Sequence, residues 1–149
     1  MTVAVNVEGT KRALDRLLFD LKEAAGEAMA DCLVASEAAA LAAIKAQTKR
    51  RTGDLEDKLV AVQISPMSGK LFDTSEHAEF IDKGTVAHVI RAKKARALAF
   101  QVAGAMVFRR VVNHPGTKAR PFVAPAMAAG ERALATSLTV RVNGVVSRF

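Results

Sequence analysis

Leucines and alanines recur at three- and four-residue intervals through the first third of the chain, and no other feature constrains the fold as strongly. Leu14, Leu17, Leu18 and Leu21 make one apolar helical face. The spacing continues past Gly26 through Ala28, Cys32, Ala35, Ala39, Ala43 and Ile44. Glycine inside a helix costs roughly 1 kcal/mol relative to alanine, which predicts a break or kink at Gly26 and therefore more than one helix. Beyond Gly26 the stripe holds almost nothing large, so another backbone can approach it closely, in a core or against a neighbouring subunit. Lys49, Arg50 and Arg51 fall in the expected last turn, where cations suit the negative helix end, and Gly53 is the expected stop.

The remaining segments read as short strands and one more helix. "TVAVNV" at the N-terminus alternates as a strand closed by Gly9–Thr10, with Thr10 as helix cap. Val60, Val62 and Ile64 alternate as a half-buried strand ended by "SPMSG". "TSEHAEFIDKGT" predicts a short helical turn with Ser75 as cap, Glu76 at its positive end and Gly84 as terminator. Two apolar arms flank Ala103–Gly104–Ala105 as a hairpin, Leu98, Phe100 and Val102 sharing one face, and "RAKKAR" precedes the first arm as an exposed loop. Pro125 suits the first turn of a final helix ending near Leu138, and the tail "TVRVNGVVSRF" carries the Asn-Gly signal of a hairpin. This order predicts a single α+β domain: long N-terminal helices and a C-terminal helix packed on a mostly antiparallel sheet with hairpins.

Charge is divided unevenly along the 149 residues. Residues 1–75 carry 10 basic and 11 acidic side chains, net −1, and residues 76–149 carry 12 and 4, net +8. From Lys83 onward Glu131 is the single acid. Such a half favours a polyanion or an acidic protein surface as partner, or is a solvated face with no task. The N-terminus lacks the pattern of a secretion signal and no apolar run reaches the roughly 20 residues of a membrane span, so folding in the cytosol is expected.

No enzymatic pattern stands out. His77, His88 and His114 are not placed at metal-ligand spacing, and the one cysteine, Cys32, lies among helical alanines as a small core residue. No Gly-x-Ser-x-Gly or phosphate-binding Gly-x-x-x-x-Gly-Lys-Ser/Thr motif is present, and Glu76 and Glu79 read as a solvated helical face. No catalytic, metal or cofactor site is expected, although a scattered active site of a toxin-like or regulatory enzyme leaves no sequence motif. Lys93, Lys94 and Arg96, with Arg109, Arg110, Lys118 and Arg120, would give salt-dependent affinity for phosphates. With no tryptophan or tyrosine to stack bases, sequence reading is not expected.

"AEFIDKGTVAHVI", "KKARALAF", the hairpin and "VNHPGTKARPFVAPAM" together resemble the small tail-component or neck family of long-tailed bacteriophages. The "TGDLEDKL" step after a long alanine-rich helix is similar as well, and the resemblance spans roughly residues 35 to 135. His77 stands before Ala78–Glu79 where an aromatic is common, and Asp82–Lys83 replaces an acid–aromatic pair before Gly84–Thr85. The resemblance implies a structural virion protein at the head–tail junction, assembled from host cytoplasm into a homo-oligomeric, hexameric ring around the DNA channel. Its neighbours would be head-connector and tail proteins. The seven basic residues would then meet adjacent subunits or channel DNA; a free, non-sequence-specific nucleic-acid-binding module is the alternative. In the "HPGTKARPF" hinge, Pro115–Gly116 would turn the chain, Pro121 and Phe122 would anchor the last helix on the sheet, and Lys118 and Arg120 would point outward.

Overall fold

The computed structural model describes residues 7–47, 53–93 and 95–148. Helix α1 (Val7–Gln47) is followed by the short α2 (Asp54–Lys58) and by strands β1 (Leu59–Ser65) and β2 (Ser68–Asp73). Then come α3 (Ala78–Lys83), β3 (His88–Arg91), β4 (Leu98–Val102), β5 (Ala105–Arg109), β6 (Val111–His114) and α4 (Val123–Val146). The class is α+β, as the element order predicts. Every described strand pairs antiparallel, in three two-stranded ladders: β1–β2, β3–β6 and β4–β5. Residues 1–75 with 122–149 form one compact unit, and residues 76–121 form a second.

In the first unit α1 runs unbroken for 41 residues, about 60 Å at 1.5 Å per residue. Gly26 does not interrupt it. The tip of the β1–β2 hairpin covers that position instead: a side chain built on Gly26 would meet Pro66 at 3.6 Å, and Gln63 Nε2 donates to the Gly26 carbonyl at 2.9 Å. Helix α1 has already begun at Val7, so Thr10 is not its cap, and the rest of the expected N-terminal strand lies outside the described residues. The basic triplet at 49–51 lies outside them too. Gly53, expected to end the long helix, adopts a left-handed φ of 83° and opens α2, whose Asp57 N–H bonds back to its carbonyl at 2.8 Å.

Helix α4 lies antiparallel along α1, and small residues make the contact. Ala24, Ala28, Ser36, Ala40 and Ile44 are buried on α1, facing Ala126, Gly130 and Val145. The buried line is thus a strict four-residue repeat, which takes Ser36 and Ala40 where the spacing in the sequence points to Ala35, Ala39 and Ala43. Two expectations for the C-terminus fail together. The helix does not stop near Leu138 and no hairpin follows it, because α4 continues through Asn143–Gly144 to Val146. Burial of Val145 against α1 outweighs the local turn preference of Asn-Gly. The anchor role of Phe122 holds in that it is buried at the start of α4, but the partner of α4 is a helix, not a sheet.

An ionic network crosses the same pair of helices. Arg141 bonds Glu27 through Nη1, Asp31 through Nη2 at 3.0 Å and Ser137 Oγ through Nε at 2.9 Å. Ser137 in turn donates to Asp31 Oδ2 at 2.6 Å. The Ser137 hydrogen bond, followed by that of Arg141, holds the Asp31 carboxyl below its ordinary range. No helix among the described residues is long and apolar enough to cross a membrane.

Two glycines of α4 make opposite predictions. A Cβ at Gly130 would collide with Ser36 Oγ and approach Cys32 Sγ to 3.1 Å, whereas one at Gly144 meets nothing within 4 Å. Gly130→Ala should therefore lower stability by about 1–3 kcal/mol despite alanine's better helix propensity. Gly144→Ala should raise it by about 0.5–1 kcal/mol. Thermal melting of both variants checks this, and a loss at Gly144 would instead indicate the Asn-Gly turn.

Candidate functional site

The second unit is built around a reciprocal clasp between two Gly-Thr pairs 32 residues apart. Thr85 N–H donates to Thr117 O at 2.9 Å and Thr117 N–H donates to Thr85 O at 3.0 Å. The two hydroxyls lie 3.0 Å apart, and Arg120 N–H closes the same face onto Ile81 O at 2.8 Å. Each strand passes where the other has no side chain. A Cβ on Gly84 would sit 2.7 Å from Ala119 N; one on Gly116 would overlap Thr85 O and lie 2.9 Å from Val86 C. Both glycines also hold positive φ, 72° and 89°, which side-chain-bearing residues rarely adopt. "FIDKGT" and "HPGTKARPF", the two most distinctive motifs of the sequence, thus meet in space.

Helix α3 leads into the clasp. It starts at Ala78 with His77 in the cap position, so Ser75 is not its cap; Ser75 is buried upstream with its N–H on Asp73 Oδ1 at 2.7 Å. Gly84 ends the helix as expected. Lys83 bonds Glu79 at 2.9 Å, and this bond holds its ammonium above the ordinary range.

From the clasp the chain runs out and back as a two-stranded ribbon with two ladders in series. The inner ladder pairs His88 with His114 and Arg91 with Val111; the outer pairs Leu98 with Arg109 and Val102 with Ala105. Ala103 and Gly104 close it with φ values of 49° and 86°, the signature of a type I′ turn. Leu98, Phe100 and Val102 share one face with Val107, while Met106 and Phe108 stand on the other, more than half exposed.

Between the ladders the strands are unequal. Residues 92–97 on the outgoing strand oppose Arg110 alone on the returning one, with Ala92 N–H bonded to Arg110 O at 3.1 Å. The excess residues form the loop expected at "RAKKAR", except that Arg91 is paired in β3 and Ala97 joins the loop. Register therefore gathers Lys93, Arg96, Arg109 and Arg110 at one joint and adds Arg91, the first residue of "RAKKAR", which ends β3. All five are exposed, and among the described residues none has an acidic partner. Lys94 lies outside the described residues. Lys118 and Arg120 are exposed on the segment after β6, beside the clasp, so the six described candidate cations form two groups.

His88 and His114, far apart in sequence, are cross-strand partners with ring centroids 5.0 Å apart. His114 Nδ1 accepts the Gly116 N–H at 3.1 Å, and His88 Nδ1 lies 2.9 Å from Val86 O as its donor. Antiparallel register alone makes them neighbours. Among the described residues no three metal-ligating side chains converge. Among the described residues of the first unit, open clefts lie along α1. One, of about 540 Å³, is lined by Asp20, Glu23, Arg141 and Arg148; another, of about 530 Å³, by Phe19, Gly26, Ala30 and Pro66.

Gly116→Ala should open the clasp, because backbone atoms, which cannot step aside, occupy the space of the new side chain. A loss of about 2 kcal/mol or more is expected from steric strain and the positive φ together. Chemical denaturation measures it, and an unchanged midpoint would contradict the clasp.

No family model, curated protein or solved structure matches the chain, so the reading of this ribbon rests on its own residues.

Proposed function

We propose that this chain is a structural subunit of a long-tailed bacteriophage, one member of a homo-oligomeric ring that completes the neck and joins tail to head around the DNA channel. The likeness of its motifs to the neck and tail-component family suggests the setting. The observation that carries an assembly role is the apolar surface left in solvent by both units. Leu14, Leu18 and Phe19 on α1, and Met106 and Phe108 on β5, are each at least half exposed. Contiguous apolar surface of this kind belongs to interaction sites more than to idle surfaces.

A closed ring requires a head-to-tail interface between unlike patches, and exposed apolar groups on two distinct units meet that requirement. The hinge fits as architecture: its backbone makes the clasp while Lys118 and Arg120 are left exposed, available to an adjacent subunit.

Two double variants test this reading. Replacing Leu14 and Leu18 by serine, or Lys118 and Arg120 by glutamine, should leave the melting temperature of the isolated chain within a few degrees, because all four side chains are exposed. Both should reduce incorporation into phage particles and the yield of joined virions. Normal yield from both would refute the assembly role.

A further inference from the structure

We infer that the joint of the ribbon, formed by Arg91, Lys93, Arg96, Arg109 and Arg110, is a binding site for the phosphate backbone of duplex DNA. The claim does not require the ring; it concerns a patch that the isolated chain already presents. Four observations carry it.

The first is that register creates the cluster. Arg91 to Arg96 and Arg109 to Arg110 are separate in sequence, and the six-against-one mismatch between the ladders brings them to one place. Second, the charge is uncompensated: no acid occurs from Lys83 to Gly130, and none of the five has an acidic partner among the described residues. Surface cations held without counter-charges keep an ion atmosphere that a polyanion displaces.

Third, the composition separates this patch from a protein interface. The residues between the cations on the outgoing strand are alanines, 92, 95 and 97. On the returning strand the exposed Phe108 and Val111 flank Arg109–Arg110. Protein interfaces take their energy from large apolar or aromatic anchors; here such exposed groups border the joint on one strand only, and the other strand offers charge among alanines, which suits phosphates. Fourth, the chain has no tryptophan or tyrosine. Single strands are held by stacking on successive aromatic rings, and Phe108 alone adjoins the five cations in sequence, so the joint lacks a row of rings and fits the duplex, whose phosphates are presented at regular spacing.

Fluorescence polarisation of the full chain with a labelled 20-base-pair duplex, repeated across a salt series, tests the inference. Binding is expected with a steep salt slope and with equal affinity for two unrelated sequences. Lys93→Gln, Arg96→Gln, Arg109→Gln and Arg110→Gln combined should flatten the slope by roughly 2 to 4, at about 0.9 for each phosphate that is no longer neutralised. Each single substitution, with a melting curve unchanged from the parent, should flatten it by up to about 0.9. Lys118→Gln with Arg120→Gln, outside the joint, should leave the slope unchanged. No binding at low salt, an equal effect of the hinge pair, or tighter binding of a polyglutamate peptide than of duplex would each overturn the site. A single-stranded oligonucleotide binding more tightly than duplex would overturn it too. Failure here leaves the assembly proposal standing, since that is judged by particle yield with variants of other residues.

Discussion

Thr85 and Thr117 exchange both of their backbone hydrogen bonds, and they can do so because Gly84 and Gly116 each leave room for the other strand. In a narrow antiparallel pair the carbonyl and amide of one residue face those of its partner, so two bonds form for one alignment. The inner ladder follows from it: once Thr85 faces Thr117, His88 faces His114 and Arg91 faces Val111. The outer ladder, from Leu98 opposite Arg109 to Val102 opposite Ala105, is aligned from the Ala103–Gly104 turn instead. The cationic joint has no side-chain framework of its own; it lies where the register set at the clasp gives way to the register set at the turn.

The first unit uses the same device on a larger scale. Gly130 lies against Ser36 and Cys32, Gly69 against Leu33, and Gly26 beneath Pro66. Small residues bring backbones near each other but bury little apolar area apiece, and among the described residues no large side chain is fully buried. A chain organised this way keeps its larger apolar groups, such as Leu14, Phe19 and Phe108, on the outside. Under the assembly proposal, neighbouring subunits would cover those groups.

The sequence was legible wherever one physical effect dominated locally. Leucine and alanine spacing announced α1, Ala103–Gly104 announced the ribbon's turn, and the alternation at Val60–Ile64 announced β1 but not its buried side, since Val60, Val62 and Ile64 are all exposed. It misled where local preference and tertiary packing disagreed. Gly26 and Gly144 are poor helix residues by propensity, yet a docked hairpin in one case and a buried neighbour, Val145, in the other keep the helices whole. The candidate site was half visible: the cations could be named one by one, but their division into a joint and a hinge could not. That division depends on a register mismatch between residues 92–97 and Arg110, which no local pattern encodes. The His88–His114 pairing depends on strand register in the same way.

Amide hydrogen exchange of the isolated chain addresses the clasp directly. Slow exchange is expected at Thr85, Thr117 and Arg120, whose N–H groups are bonded across the clasp, and fast exchange at Gly104 in the turn. If Thr85 and Thr117 exchanged as fast as Gly104, the strands would not be pinned, the register would be free, and the joint would not exist as a site.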